Sequence, residues 1–268
     1  MNYFDLLSPA APLSIAGKQS FIANDRLPRK YSCIFASKTG WNFVCLQSCF
    51  VDMLMFHHLG QAPLVPQKEI VEQALMNIRE FYQTAWFIND PDEFKCMQKE
   101  RANRHLVWYE FFVSAFLVAL LAEDESTLES VADYPESWFT PESMAIPIDP
   151  SLGHIYISVA AAFRSEPLDG QAEMENSIRK NRKQAPKLLF SAWEAARIGN
   201  QSQFEERLRS SVLLFEKQLP LVLCSEDELI AFPQSTILAA ARRLGMQLPN
   251  FEPRIMARLL TSESVGLK

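Results

Sequence analysis

The stretch Leu106–Ala122, LVWYEFFVSAFLVALLA, decides the fold. It holds seventeen residues with a single charge, Glu110, and it runs directly into the acidic residues Glu123, Asp124 and Glu125. A helix that is apolar on nearly every side has to be surrounded by other elements. The stretch is shorter than the roughly 20 apolar residues of a membrane span, and it carries a charge. It therefore predicts the buried central helix of a soluble helical domain.

Apolar residues recur at steps of three and four along several other segments, which is the helical period. Proline and glycine stand between these segments, where they start and end helices. The predicted helices are Trp41–Leu59, Pro66 to about Asn89, a short helix after Ser126, His154–Phe163, a hairpin of Lys187–Ile198 and Gln203–Lys217, and Pro233–Leu244. The strongly charged segment Ala172–Gln184 is expected to face solvent on much of its surface.

Two helix starts are predicted from polar residues. Ser126, with Glu129 three residues later, has the spacing of a capping box. In the hairpin, Gly199 and Asn200 are turn residues, and Ser202 is the expected cap of the second arm. The sequence after Pro253 is expected to add a turn or two of helix.

No segment shows the alternation of a half-buried strand, so the predicted class is all-α. The expected architecture is a compact multi-helix domain of antiparallel helical hairpins around a buried central helix at about residues 106–122. Residues 1–268 are treated as a single helical domain, with two packed halves, 1–150 and 151–268, as the alternative. Residues 1–40 suggest short helices and loops.

Composition narrows the function. The chain has 268 residues, 48% of them hydrophobic, enough for a sizeable core, and its 8 glycines argue against a glycine-based nucleotide site. A net charge of −6 argues against nucleic acid as a partner, because phosphate binding needs a clustered positive face. The five scattered cysteines suit reduced thiols, and the N-terminal stretch lacks a basic start before its apolar residues. A cytoplasmic location with no membrane partner is expected.

Reactive motifs are missing from the sequence: GxGxxG, GxxxxGK[ST], HExxH, CxxC and GxSxG do not occur. His57 and His58 are adjacent and so point to different sides of a helix, which favours a structural role over metal binding. Cys45 and Cys49 share a helical face, but apolar neighbours favour a core position. The acidic clusters Glu205-Glu206 and Glu226-Asp227-Glu228 are typical of solvated helix starts. No catalytic residue, cofactor or metal site is predicted.

The distribution of charge is more informative than the motifs. Between Arg104 and Arg164 there is no lysine or arginine, and nine acidic residues occur there. Aromatic residues lie among them in a loop region. One interpretation is that this acidic loop only keeps the protein soluble. The other is a docking surface for a basic protein, with opposite charges speeding encounter and aromatic side chains supplying buried contacts. The predicted partner-binding residues are Glu123, Asp124, Glu125, Glu129, Asp133, Tyr134, Glu136, Trp138 and Phe139.

The second half of the chain resembles the immunity protein 49 family of bacterial polymorphic toxin systems. The resemblance is carried by three segments within residues 116–249: FLVALLAEDESTLESVADYP, the hairpin LLFSAWEAARIGNQSQFEERLRSSVLLFEKQLP, and FPQSTILAAARRLGMQLP. It implies an all-helical cytoplasmic antitoxin that binds a cognate toxin or effector domain and blocks it, without catalysis or a cofactor. It assigns no binding surface to particular residues.

The leading hypothesis from the sequence is therefore a non-enzymatic immunity protein that covers a toxin through Glu123–Phe139. Nucleases and other nucleic-acid-directed enzymes are typical basic partners, because their own substrates are polyanions. One alternative is a helical enzyme or small-ligand protein that uses His57, His58 or His105 with nearby carboxylates. Another is a helical-repeat scaffold that binds peptides. The oligomeric state is left open.

Overall fold

A computed structural model of the chain describes residues 54, 55, 57, 58, 66–84, 104–133, 150–219 and 229–268. Within these residues the regular elements are helices and none is a strand, so the predicted all-α class is confirmed. In chain order the helices are α1 Gln67–Thr84, α2 Arg104–Ala122, α3 Glu125–Ala132, α4 Pro150–Ala161, α5 Gln171–Lys180, α6 Gln184–Arg197, α7 Gln201–Gln218, α8 Phe232–Arg243 and α9 Pro253–Met256.

The chain divides by its internal contacts into two compact units. The C-terminal unit contains the described residues of 52–68 together with Arg182–Lys268, and the middle unit contains the described residues of Glu69–Asn181. The middle unit therefore holds α2, α3, α4 and α5, whereas α6, α7, α8 and α9 belong to the C-terminal unit.

The part of α2 whose side chains the structure describes is largely buried, as its sequence predicts. Phe112 and every residue from Ala115 to Leu121 are buried. Seven consecutive residues make almost two turns, so this part of α2 is covered on every side. Phe112 stacks on Phe116 with ring centroids 5.6 Å apart, and Phe116 meets Phe163, just after α4, edge to face at 6.1 Å. Within the described residues, no helix is both long and apolar enough to cross a membrane.

The predicted hairpin forms the body of the C-terminal unit. α6 and α7 pack along their lengths, with Trp193 and Phe204 fully buried, and α8 packs on both arms. Gly199 has a φ of +73°, a conformation that favours glycine, and makes the turn between the arms. The end of α8 also agrees with the prediction, because Gly245 follows it with a φ of +94°.

Both predicted N-caps are wrong. The side chain of Asn200, not Ser202, accepts a hydrogen bond from the backbone N–H of Gln203 and caps α7. Asp124, not Ser126, caps α3 in the same way by accepting from the N–H of Thr127 at 2.8 Å. In each case the cap directly follows the positive-φ residue of a tight turn, so the next helix starts two residues earlier than the serine suggests.

The segment from Pro253 to Lys268 is more than the turn or two of helix expected from its sequence. Its apolar side chains, those of Ile255, Leu259, Leu260 and Val265, are buried. Ala231 N–H donates to Arg258 O at 2.8 Å, and Leu260 N–H donates to the Ser235 hydroxyl oxygen at 3.0 Å. The segment is thus an integral part of the core of the C-terminal unit.

Several predictions concern residues outside the described part of the chain. They are the short helices of residues 1–40, most of the Trp41–Leu59 helix, the part of the Pro66–Asn89 helix beyond Thr84, and the loop region that holds Tyr134, Trp138 and Phe139. The described residues of the Trp41–Leu59 segment, which are Leu54, Met55, His57 and His58, are helical.

Candidate functional site

The predicted acidic surface begins at the sharp turn between α2 and α3. Glu123 has a φ of +56°, and its N–H donates to Leu120 O, while the N–H of Asp124 donates to Ala119 O. These bonds satisfy carbonyl groups at the end of α2 that have no partner within the helix. Glu123 and Asp124 are half-buried, so their first role is to form the turn.

The carboxylate of Asp124 is held in its charged form. Burial alone would raise its pKa, but the hydrogen bonds from Thr127 and the positive charge of Arg79 on α1 outweigh burial and lower the pKa of Asp124. A charged carboxylate at this position also interacts favourably with the N-terminal end of α3. Asp124 is therefore an anion that stabilises its own helix.

The exposed side of α3 carries three acidic residues. Glu125, Glu129 and Asp133 are exposed, and their spacing of four residues places them in one line along the helix. We refer to these three residues as the acidic face of α3. The opposite side of the helix is buried in the middle unit through Thr127, Leu128, Val131 and Ala132.

The last acid of this face is already engaged within the protein. The Asp133 carboxylate accepts hydrogen bonds from the backbone N–H and the hydroxyl of Ser165, at 2.9 and 2.6 Å. Beside it, Arg164 donates to Ala132 O at 3.0 Å. The first cation after the acidic interval thus folds back on the end of α3, which no local sequence signal indicated. Glu125 and Glu129 form the part of the face farther from this cation.

The other predicted contact residues, Tyr134, Glu136, Trp138 and Phe139, lie outside the described residues. They continue the chain directly from the end of α3, after Asp133. The structure therefore brings together five of the nine predicted residues, two in the turn and three on the acidic face of α3.

Two of the three histidines of the alternative catalytic site, His57 and His58, pack into the C-terminal unit. His58 is buried and its Nε2–H donates to Ala257 O at 2.9 Å. Burial lowers its pKa to about 4, against the opposing effect of that hydrogen bond. Neighbouring His57 lies under Gly266, at which a Cβ atom would come within 2.7 Å of His57 Nε2. Burial also lowers the pKa of His57 and of His154. His105 lies in α2, in a part whose side chains are not described.

Among the described residues, no three His, Cys, Asp or Glu side chains are placed where they could hold a metal ion together. The acidic residues Glu226, Asp227 and Glu228 fall outside that part of the chain.

A groove in the C-terminal unit was not recognised from the sequence. It lies between the first half of α7 and the segment before α9, has a volume of about 560 Å³, and is lined by Ser202, Glu205, Glu206, Arg209, Asn250, Phe251 and Glu252. Glu205 and Glu206 are the pair interpreted above as solvated helix-start charges. Glu206 is exposed, whereas Glu205 is half-buried and accepts from Gln201 Nε2 at 2.6 Å. No sequence signal indicates the groove, because its second wall comes from a segment about forty residues later in the chain.

Comparison with protein-family models, with curated proteins and with solved structures found no match for this chain. A functional proposal therefore starts from the residues of the chain itself.

Proposed function

We propose that this protein is an immunity protein, an antitoxin that binds a cognate bacterial effector toxin in the cytoplasm and blocks it by covering its functional surface. The partner is a basic protein, and a nucleic-acid-directed enzyme is the class that fits best, because such enzymes carry positive charge for their own substrates. The antitoxin itself performs no chemistry.

The observation that carries the proposal is the acidic face of α3. It exposes Glu125, Glu129 and Asp133 in line, in a chain with a net charge of −6. It also lies inside an interval, between Arg104 and Arg164, that contains no lysine or arginine. A surface of one sign attracts a partner of the opposite sign over about a Debye length and raises the rate of association.

The chain after α3 supplies the second half of the argument. Tyr134, Trp138 and Phe139 follow Asp133 within six residues. Aromatic anchors dominate binding energy at protein interfaces, whereas charges at the rim mainly set the association rate and the choice of partner. In this proposal the acidic face of α3 sets the association rate and the choice of partner, and the aromatic residues after it supply most of the binding energy.

The resemblance of residues 116–249 to the immunity protein 49 family supports the same class of function. Its three segments correspond to the end of α2 with α3, the α6–α7 hairpin, and α8 with the residues that follow it. These are helix-packing and turn segments, so they support the type of protein and do not select the toxin.

Co-expression with the product of the gene immediately upstream tests the function. If the proposal is right, that product is toxic alone, the chain rescues growth, and the two proteins co-purify. A neighbour that is harmless alone and does not bind the chain would refute the proposal.

Charge reversal then tests the surface. The variant Glu125→Lys/Glu129→Lys removes two acids of the face and leaves the Asp124 cap intact. We expect the association rate with the toxin to fall about tenfold or more and to become less sensitive to salt. The matched control is Glu166→Lys/Glu173→Lys, because both residues are exposed in the same unit and Glu173, like Glu125, lies in the first turn of its helix. Equal association rates in the two variants would place the interface elsewhere.

A further inference from the structure

The groove beside α7 is bounded by two segments that hydrogen bonds hold side by side. Gln247 N–H donates to Gln201 Oε1 at 3.0 Å, and Gln201 Nε2 donates to Gln247 O at 3.3 Å. Farther along the groove, Arg209 donates to both carboxylate oxygens of Glu252. These hydrogen bonds connect the two walls of the groove in the unbound protein.

Its lining is net negative. Three carboxylates, those of Glu205, Glu206 and Glu252, face one guanidinium, that of Arg209. Arg209 and Glu252 satisfy each other, and this contact raises the pKa of Arg209 and lowers that of Glu252. The remaining charge of the groove is therefore that of Glu205 and Glu206, which attracts a cation.

Three exposed apolar side chains lie on the chain segments that lead into the two walls of the groove. Ile198 in the α6–α7 turn is 75% exposed, and Leu244 and Leu248, which follow α8, are 40% and 39% exposed. The Gln201–Gln247 hydrogen bonds bring these two parts of the chain together. Within the described residues only one other large apolar side chain, that of Met76, is as exposed. Exposed apolar side chains on paired segments favour a protein-binding role, whereas scattered ones need no explanation.

The charge and the size of the groove together indicate what kind of molecule binds in it. A groove of about 560 Å³ takes a few side chains of an extended segment, and its carboxylates favour lysine or arginine over any anion. The exposed side chains of Ile198 and Leu248, close in the chain to the two walls, favour an apolar residue on the same segment. We infer that this groove, together with Ile198 and Leu248, binds a short segment of a partner protein that carries a basic residue next to an apolar one.

The inference goes beyond the proposed function, because it concerns a surface of the C-terminal unit and needs no toxin for its test. A random peptide library displayed on phage would be selected on the full-length protein. Lysine or arginine next to an apolar residue should be enriched in the selected peptides. Glu206→Lys and Leu248→Ser should each weaken binding of those peptides about tenfold or more. Both residues are exposed, so the fold should tolerate these changes.

Two control variants distinguish this groove from other acidic surfaces. Glu173→Lys changes the net charge as Glu206→Lys does, but on α5 of the middle unit, and should leave peptide binding unchanged. The variant Glu125→Lys/Glu129→Lys should also leave it unchanged. Selection of no basic peptides, selection of acidic ones, or binding that survives Glu206→Lys and fails with the α3 variant would each overturn the inference. Self-association abolished by Leu248→Ser would also overturn it, because a second copy would then be the occupant.

Discussion

Removal of the Glu216 carboxylate should destabilise the C-terminal unit more than the loss of any exposed ion pair. Glu216 lies at the end of α7 and accepts a hydrogen bond from Arg258 Nε at 3.1 Å. The Arg258 side chain is only 2% exposed and that of Glu216 only 10%. Arg258 also donates to Leu229 O at 3.0 Å, so this one guanidinium connects α7, residue 229 and the C-terminal segment.

The magnitude follows from what Glu216→Ala leaves behind. Burial lowers the pKa of Arg258, and Glu216 is the partner that opposes this shift. Without it the guanidinium is a buried cation that keeps one carbonyl, a situation that costs about 3–5 kcal/mol in other proteins. We expect about 3 kcal/mol, the lower end, because Leu229 O remains and the Glu216 side chain is not fully buried.

Urea unfolding followed by far-ultraviolet circular dichroism measures the effect, and a loss of this size lowers the midpoint by about 1 M. Hydrogen exchange in peptides from residues 229–268 should show that the C-terminal unit is the part that opens. Glu216→Met/Arg258→Met, which removes both charges, should recover most of the stability. Arg209→Ala, which breaks an exposed pair with Glu252, should change little. A loss below about 1 kcal/mol in Glu216→Ala would refute the reasoning.

Two further predictions concern the histidine pair and the segment packed on it. The pKa of His58 is about 4 in the folded protein and 6.5 ordinarily, so the unfolded chain binds the proton first as the pH falls. The stability from neutral His58 is complete above pH 6.5 and should decrease by about 2 kcal/mol between pH 7 and pH 5 in urea titrations, a dependence that His58→Gln should remove. Gly266→Ala should lower the melting temperature more than Gly199→Ala, since φ is positive at both but only Gly266 meets a side chain, that of His57. Equal melting temperatures would show that His57 moves aside at no cost.

The helices that were predicted well are those whose signals lie within one segment. The α6–α7 hairpin has its apolar steps, its Gly199 turn and its connection all inside residues 184–218. The burial of α2 also follows from its own composition, because a helix with an apolar residue on every side has no face to leave in water. These properties depend on neighbours three or four residues away.

The two wrong caps show what local signals leave undetermined. Ser126 and Ser202 are acceptable caps by residue type, and so are Asp124 and Asn200. The position of the N-cap is set by the turn after the preceding helix. That turn contains a positive-φ residue, which is Glu123 before α3 and Gly199 before α7. The backbone after such a residue already runs in the direction of the next helix. The first polar side chain after the turn therefore becomes the N-cap. A non-glycine residue such as Glu123 gives no sequence signal for this conformation.

The remaining features depend on residues far apart in the chain. Arg258 reaches Glu216 across 42 positions, and Ser165 reaches Asp133 across 32. The groove needs a wall from α7 and another from residues 250–252. No periodicity or spacing within one helix contains this information, because it arises only when the helices pack. The candidate surface on α3 was found from charge alone, but which of its acids are engaged within the fold was not.

The burial of α2 has a consequence for the order of events during synthesis. The run from Ala115 to Leu121 leaves the ribosome before α4, and before the Phe163 ring that covers Phe116. Roughly forty further residues must be added first, which takes about 2–8 seconds at common translation rates. During that interval the apolar run lacks the cover that Phe163 and α4 later provide, and exposed apolar surface of this kind makes an incomplete chain prone to aggregate. A helix that is buried in the finished middle unit thus needs protection while the protein is being made.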